Sequence, residues 1–472
     1  MKILLTCLRN VRSLGHPHDE GDSESIHMSG QSRFHRMFAF VLLVCLILVQ
    51  PATATELYYT FHDGERGGLA RLVIDSETGE VGSHDVLFAS ADCQHPRKLA
   101  ITDCGRYVIM ASEETGRHNL FITNLQNDPP TTETLRFLTE PDEIRTFGTK
   151  AIIGGSSGNV ITVDLEEPTI LARWNARSDL SPSGHKTEDL VVLPCGERAI
   201  MSFQKDNRSG RHRGSRMVIV TLPELETVVD LPLPRNRPEL HYPDVPREQG
   251  PNPEVIHLSP QTNTFFVSLD LYGGAALADL DAVLEGRWSN LRYVTTAVDE
   301  SWGDAFPDRF VHFSRDGREF VLALNSGEAG GGVVIDLEKR EVIARAEMRH
   351  GLETPIYFDR LGVVVATPAG KMKRRGPEGL IRTFHPGRNL HLLDVSQLAS
   401  KGEISVEKHE MEHLLFRTAP VESGTGSLVL LMMGTDVPDQ IGVFDLEKRE
   451  FRTVIAAYGE IARTAGSRRT SR

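Results

Sequence analysis

His409-Glu410-Met411-Glu412-His413 spells H-E-x-x-H, the spacing that sets two imidazoles one helical turn apart with a glutamate beside a zinc-bound water. That chemistry requires a helix. The preceding Glu403-Ile404-Ser405-Val406-Glu407 alternates polar and apolar residues, which reads as a strand. On a strand, positions 409 and 413 share a face but stand ~13 Å apart, too far for one ion. No later N-E-x-x-x-E or third histidine supplies a further ligand, so the match reads as incidental and no metal site is assigned.

Other histidines and carboxylates stand at the head of apolar runs: His95, His185 with Glu188 and Asp189, His241, and His350 with Glu353. An imidazole beside a carboxylate is a common acid–base pair. His185, Glu188, His350 and Glu353 are therefore the catalytic candidates. Two segments are basic. One carries Lys205, Arg208, Arg211, Arg213 and Arg216, the other Lys371, Lys373, Arg374, Arg375, Arg382 and Arg388. Guanidinium groups grip carboxylate, sulfate or phosphate bidentately. Lys205, Arg208, Arg211, Arg213, Lys373, Arg374 and Arg375 are the expected contacts to an anionic glycan, a peptide or an envelope protein.

The chain as a whole is acidic, with 52 Lys+Arg against 65 Asp+Glu and a formal charge of −13. A general nucleic-acid binder needs a basic surface to displace phosphate counterions, so none is expected. A 40% hydrophobic, 25% charged composition excludes both a disordered tail and a polytopic membrane protein. Met37 to Val49 is an unbroken apolar run behind Arg33, His35 and Arg36, followed by Ala52-Thr53-Ala54. Basic flank, short apolar core and small residues form a secretory signal, with cleavage expected after Ala54. The run is too short to span a membrane, which takes about 20 residues. A signal begins near its own basic flank, which points to Met28 or Met37 as the start of translation. Removing residues 1–54, with five basic and four acidic residues, leaves a charge of −14. The expected product is secreted or periplasmic. Of the five cysteines, Cys93, Cys104 and Cys195 survive cleavage; none forms a C-x-x-C pair, and Cys104 and Cys195 each precede a glycine as turn residues.

The elements that must position these groups repeat. Asp-Leu-Glu-Lys-Arg-Glu occurs at Asp336–Glu341 and again at Asp445–Glu450, each copy set between apolar runs. Such runs, broken by charged turns, signal strand–turn–strand. The unit reads as four short strands, traced from Phe310 through Arg315-Asp316-Gly317-Arg318 to Glu319–Leu324, Gly332–Asp336 and Val342–Ala346. The same order starts from Lys98, Glu143, Asp189, Val255, Pro355 and Phe416. An eighth, partial unit opens with Leu57–Phe61, Gly68–Asp75 and Ser83–Phe88; its missing first strand is expected from the segment around Ile461-Ala462-Arg463. Four-stranded units repeated around a channel make a β-propeller. The predicted fold is all-β, with eight blades by repeat count and seven as the alternative, over residues 55–463. Residues 464–472 read as a disordered tail.

Gln94-His95-Pro96-Arg97-Lys98-Leu99-Ala100-Ile101-Thr102-Asp103-Cys104-Gly105-Arg106-Tyr107-Val108 resembles the P-x-x-L-A-x-S-P-D-G-R-Y-V unit of YVTN/lactonase-type propellers. Leu57–Phe61 and Ile74–Glu80 are similar to the N-terminal unit of that family, and the likeness is sharp only over residues 57–112. It implies the propeller fold more than an activity, because members include sugar lactonases, surface-layer proteins and others of no known reaction. Where such lactonases often show Pro-Arg-His, this chain has Pro253-Glu254-Val255, without the cation or the imidazole.

In a propeller, strand two-to-three loops and blade-to-blade loops share one face. The long insertions 175–186, 206–216, 234–253, 296–308 and 369–388 all fall there, and the opposite face has tight turns. Function is expected on the loop-bearing face. The reading is an exported, monomeric, non-catalytic binding propeller with no cofactor, no nucleic-acid partner and no membrane span in its mature form. The alternative is a lactonase-type sugar hydrolase at the channel mouth, using His185, Glu188 and a basic loop. A divalent ion in the channel is expected only under that alternative.

Overall fold

Middle strands that are apolar at every position have to be buried on both faces, and stacking flat four-stranded units side by side does this. Leu428–Gly434 (LVLLMMG) and Thr264–Leu269 (TFFVSL) are buried throughout. The computed structural model describes residues 54–469 apart from 115–116, 138–140, 156, 177–184, 206–214, 235–251, 300–304, 328–329, 349–351, 369, 377–378, 386 and 421–425. The export signal lies outside the described residues.

The first three strands are β1 (Ala54–His62), β2 (Gly67–Asp75) and β3 (Val81–Ser90). A second sheet holds β4 (Pro96–Ile101), β5 (Tyr107–Glu114), β6 (Arg117–Asn124) and β7 (Thr131–Phe137). The third holds β8 (Pro141–Phe147), β9 (Lys150–Gly155), β10 (Asn159–Asp164) and β11 (Thr169–Asn175). The fourth holds β12 (His185–Val192), β13 (Arg198–Lys205), β14 (Arg216–Thr221) and β15 (Thr227–Pro232). The fifth holds β16 (Pro253–Ser259), β17 (Thr264–Leu269), β18 (Gly274–Asp279) and β19 (Arg292–Thr295). The sixth holds β20 (Pro307–Arg315), β21 (Arg318–Asn325), β22 (Gly332–Asp336) and β23 (Glu341–Ala346).

Next come β24 (Leu352–Phe358), β25 (Val363–Pro368), a separate hairpin of β26 (Gly370–Gly376) and β27 (Gly379–His385), and β28 (Gly387–Asp394). They are followed by β29 (Ser405–Pro420), β30 (Leu428–Gly434), β31 (Gln440–Asp445), β32 (Glu450–Ala456) and β33 (Glu460–Arg469). Strands β24-β25-β28-β29-β30-β31-β32 form one seven-stranded sheet. Its 16-residue strand β29 pairs with β28 through Ser405–Leu415 and with β30 through Leu414–Pro420. One strand thus ends the seventh blade and begins the eighth. Counted as large sheets, the described residues form seven; counted as four-strand units, they form eight.

The first strands of neighbouring units touch in the unbroken order β33, β4, β8, β12, β16, β20, β24, β29 and back to β33. They are therefore the innermost strands of a closed ring. Apolar layers fill the gaps between blades; Leu57, Tyr59 and Ile74 of the first blade, for example, pack on Leu430, Met432 and Val443 of the eighth. Full burial of each such side chain contributes about 1.5–3 kcal/mol.

Closure comes from both chain ends. β33 pairs antiparallel with β1, with Ile461 opposite Phe61 and Arg463 opposite Thr60, as expected from the sequence. The pairing continues to Thr55 opposite Arg469, so the segment expected to be a tail from 464 is strand as far as 469. Backbone groups along β1 that would form an exposed edge are satisfied by this strand.

The repeated hexapeptide makes the same turn twice. Asp336 Oδ1 accepts the amides of Glu338 and Lys339, each at 3.0 Å; Asp445 Oδ1 accepts those of Glu447 (2.9 Å) and Lys448 (3.1 Å). Arg340 and Arg449 then take left-handed φ values of 56° and 58°, and their backbone N–H groups donate hydrogen bonds to the carbonyls of Asp336 and Asp445. An aspartate that supplies its own turn bonds fixes where each hairpin reverses.

Candidate functional site

At the head of most innermost strands the register slips by an extra residue. The slips lie between Pro96 and Lys98, Pro141 and Glu143, Thr187 and Asp189, Pro253 and Ile256, Pro307 and Arg309, and Glu353 and Ile356. A β-bulge leaves one residue unpaired, bends the strand and re-aims a side chain. In four consecutive blades, the third to the sixth, the bulge contains an acid: Asp142, Glu188, Glu254 and Asp308. All four stand at the end of the innermost strand that meets the blade-to-blade connections, which are long before Glu188, Glu254 and Asp308 and short before Asp142. That end is the channel mouth.

Below the bulges a charged ladder links the blades. Lys98 Nζ donates to Glu143 Oε2 at 3.0 Å, Arg145 binds Glu143, and Arg145 Nη2 donates to Asp189 Oδ1 at 3.0 Å. Asp189 Oδ2 then accepts the Ile256 amide at 2.8 Å. Burial drives the Asp189 carboxyl up from its ordinary pKa, against the Arg145 charge and the donated amides of Ile256 and Leu190. Further along the same lining, the His257 and His312 rings stack with centroids 4.3 Å apart. Burial, helped by the charge of His312, pushes His257 down to about 3. It lowers His312 too, against the pull of Glu319.

Glu254, Asp270 and Asp308 converge where the fifth blade meets the sixth. Their carboxylates each offer an oxygen within 4.8 Å of the others, and Asp270 and Asp308 are only 3% and 5% exposed. Residue-by-residue reading missed this group, although Pro141-Asp142, Pro253-Glu254 and Pro307-Asp308 repeat a Pro-acid signal at corresponding positions.

The residues expected from sequence fall into separate places. His185 begins β12 opposite Lys205, the last residue of β13, and Glu188 occupies the bulge beside them. Glu353 lies on β24 opposite Thr367, three blades further round. His350, Arg208, Arg211 and Arg213 lie outside the described residues. Lys373, Arg374 and Arg375 belong to β26, opposite Arg382, Ile381 and Leu380 of β27. The second basic segment, read as a loop, is thus largely a hairpin inserted between strands two and three of the seventh blade. H-E-x-x-H lies inside β29, with Leu390 opposite His409 and Asn389 opposite Glu410, so the helix that zinc chemistry requires is replaced by strand. His409 Nε2 stands 3.0 Å from Glu407 Oε1 instead. Cys93 is buried with Sγ 3.8 Å from Met110 Sδ, while Cys104 and Cys195 are exposed.

No family model matches this chain, and no curated relative matches it. Solved structures do match. The dihydro-heme d1 dehydrogenase NirN is similar over 88% of this chain and 75% of its own, at 13% identity and a TM-score of 0.61. AztD from Citrobacter koseri is similar over 88% of this chain and 98% of its own, at 12% identity and a TM-score of 0.53. The C-terminal WD40 domain of Sif2 is similar over 82% and 91%, at 10% identity and a TM-score of 0.52. The shared architecture is the β-propeller. At such low identity the likeness establishes the fold alone, and one fold hosting many tasks is the rule.

Proposed function

We propose that this chain is an exported binding propeller that holds an anionic ligand, an acidic glycan, peptide or envelope protein, at the rim of its loop-bearing face. The observation that carries the reading is the β26–β27 register, with Lys373 opposite Arg382 and Arg374 and Arg375 next along the strand. Like charges directly opposite in an antiparallel pair are destabilising, and a bound sulfate, phosphate or carboxylate relieves that repulsion. The β13–β14 connection, from Lys205 through Arg208, Arg211 and Arg213, supplies a second basic group three blades away. Export rests on the signal ending at Ala54, whose removal leaves Thr55 to begin β1 with its partners Ile74 and Arg469.

The test is an array of sulfated, uronic-acid and neutral glycans probed with the mature chain, followed by titration of the best acidic hit. Neutralising Arg211, Arg213, Arg374 and Arg375 together should abolish binding while leaving the melting temperature within a few degrees, because exposed charges contribute within about ±0.5 kcal/mol each. Binding should weaken with salt, as screening sets in beyond ~8–10 Å. Failure of the unmutated protein to retain any acidic ligand would end this reading.

A lactonase-type hydrolase at the channel mouth is the second reading, in keeping with the YVTN/lactonase-like unit at 94–108. It is favoured by the register that sets His185 opposite Lys205 beside the bulged Glu188. Lactone hydrolysis that disappears in His185→Ala would support it.

A further inference from the structure

We infer that the mouth of the interface between the fifth and sixth blades is a binding site for a divalent cation of the calcium class, held by Glu254, Asp270 and Asp308 with the side-chain oxygen of Asn325. The inference uses other residues and other blades than the anion rim, and it stands whichever ligand reading holds.

Three elements build the acidic side. The β16 bulge contributes Glu254, the 3-10 turn Asp270–Tyr272 that follows β17 contributes Asp270, and the β20 bulge contributes Asp308. Three carboxylates with oxygens within 4.8 Å repel one another, and the two aspartates are nearly withdrawn from solvent. Like charges so close favour a shared proton or a counter-cation.

Asn325 is the independent observation. It is fully buried, and its Nδ2 donates to the carbonyls of Thr296 (2.7 Å) and Gly330 (3.4 Å). Two carbonyl partners fix which end of the amide carries the nitrogen, so the other end is an acceptor, and Oδ1 has no partner. The pairing register places Asn325 opposite Pro307, next to Asp308. Strand alternation gives the direction. Val321 and Ala323, four and two residues before it, pack on Phe266, Ala275 and Leu277 of the fifth blade. Asn325 therefore turns into the same interface that receives Asp270, four residues beyond Phe266. Thr296 Oγ1, also fully buried and without a partner, lies on the segment whose carbonyl anchors Asn325.

The donors are all oxygens, a mixture of carboxylate and amide carbonyl. That set suits a hard cation with a flexible shell of six to eight oxygens, and the lack of nitrogen or sulfur in the group makes it a poor site for zinc or copper. Extracellular calcium modules of this kind bind at roughly 10⁻⁴–10⁻³ M.

The experiment is calorimetric titration of calcium, with magnesium in parallel, into the mature chain after dialysis against a chelator. The expected result is one saturable calcium site and a melting temperature that rises with calcium. Asp308→Asn and Glu254→Gln should each weaken calcium by about tenfold or more. Glu254 is the less buried partner, so Glu254→Gln carries the same comparison should Asp308→Asn fail to fold. Glu338→Gln, in an opposite-face turn, should leave the titration unchanged. No saturable binding at millimolar calcium, or binding that survives Glu254→Gln unaltered, would overturn the inference.

Discussion

Asp189 accepts the backbone amide of Ile256 at 2.8 Å, across the boundary between the fourth and fifth blades. Its other oxygen accepts from Arg145 of the third blade at 3.0 Å and from the Leu190 amide at 2.9 Å. A single carboxylate therefore ties three innermost strands together beneath the channel mouth, at a place where the bulge has interrupted the ordinary ladder. Asp189→Ala orphans the Ile256 amide and takes from Arg145 one of its two carboxylate partners, leaving Glu143, and should destabilise by about 2–4 kcal/mol. Asp189→Asn should cost less, because an amide oxygen still accepts from Ile256. Urea unfolding with an unchanged m-value is the measurement, and equal midpoints for alanine and the parent would refute the tie.

The seam between the chain ends should be as sensitive as any core position. Ile461, 3% exposed, stands opposite Phe61 and packs in the layer shared by the first and eighth blades. Ile461→Ala should cost about 2–5 kcal/mol. Deleting β33 altogether should expose β1 as an open edge and produce aggregation in size-exclusion chromatography. A truncated protein that stays monomeric with its melting temperature intact would show that the ring does not need this strand.

The stacked histidines make stability depend on pH. His257 is pushed down to about 3 by burial, with the His312 charge acting in the same direction. An unfolded histidine titrates near ~6.5. Between those values the unfolded chain binds a proton that the folded chain does not, so the contribution is complete above ~6.5 and is lost as pH falls toward 3. One such group changes stability by up to about 1.4 kcal/mol per pH unit in that window. Melting temperature measured from about pH 7.5 down to 4.5 should therefore fall less steeply for His257→Phe than for the parent. Parallel curves would refute the burial argument.

The H-E-x-x-H match should be inert. His409 pairs with the exposed Glu407, which Arg449 also holds, and its ring meets Phe444 edge-on at a centroid distance of 6.0 Å. His409→Ala and His413→Ala should each change stability by no more than about 0.5 kcal/mol and leave zinc content and hydrolytic activity untouched. Loss of bound zinc in either variant would contradict the strand assignment of the motif.

Local chemistry made the architecture legible from the sequence alone. The paired Asp-Leu-Glu-Lys-Arg-Glu turns carry their own Asx hydrogen bonds, each is preceded by an apolar run, and a first unit short of one strand required a donor near Ile461. Each of these depends on neighbours within a few residues, or on a count of repeats. The passage of β29 from one blade into the next was not legible, because a strand of 16 alternating and apolar residues carries no mark of where one partner hands over to another. Nor was the end of β33, where basic and small residues pair only because β1 offers them an edge. The acidic group at the mouth is the clearest case. Glu254, Asp270, Asp308 and Asn325 come from three strands and one turn of two blades, and two of them are displaced by bulges that shift side-chain alternation by one residue. Periodicity cannot show such a shift, because it is produced by the packing of one innermost strand against the next. Which charges meet, and which oxygens are left without donors, was decided only when the ring closed.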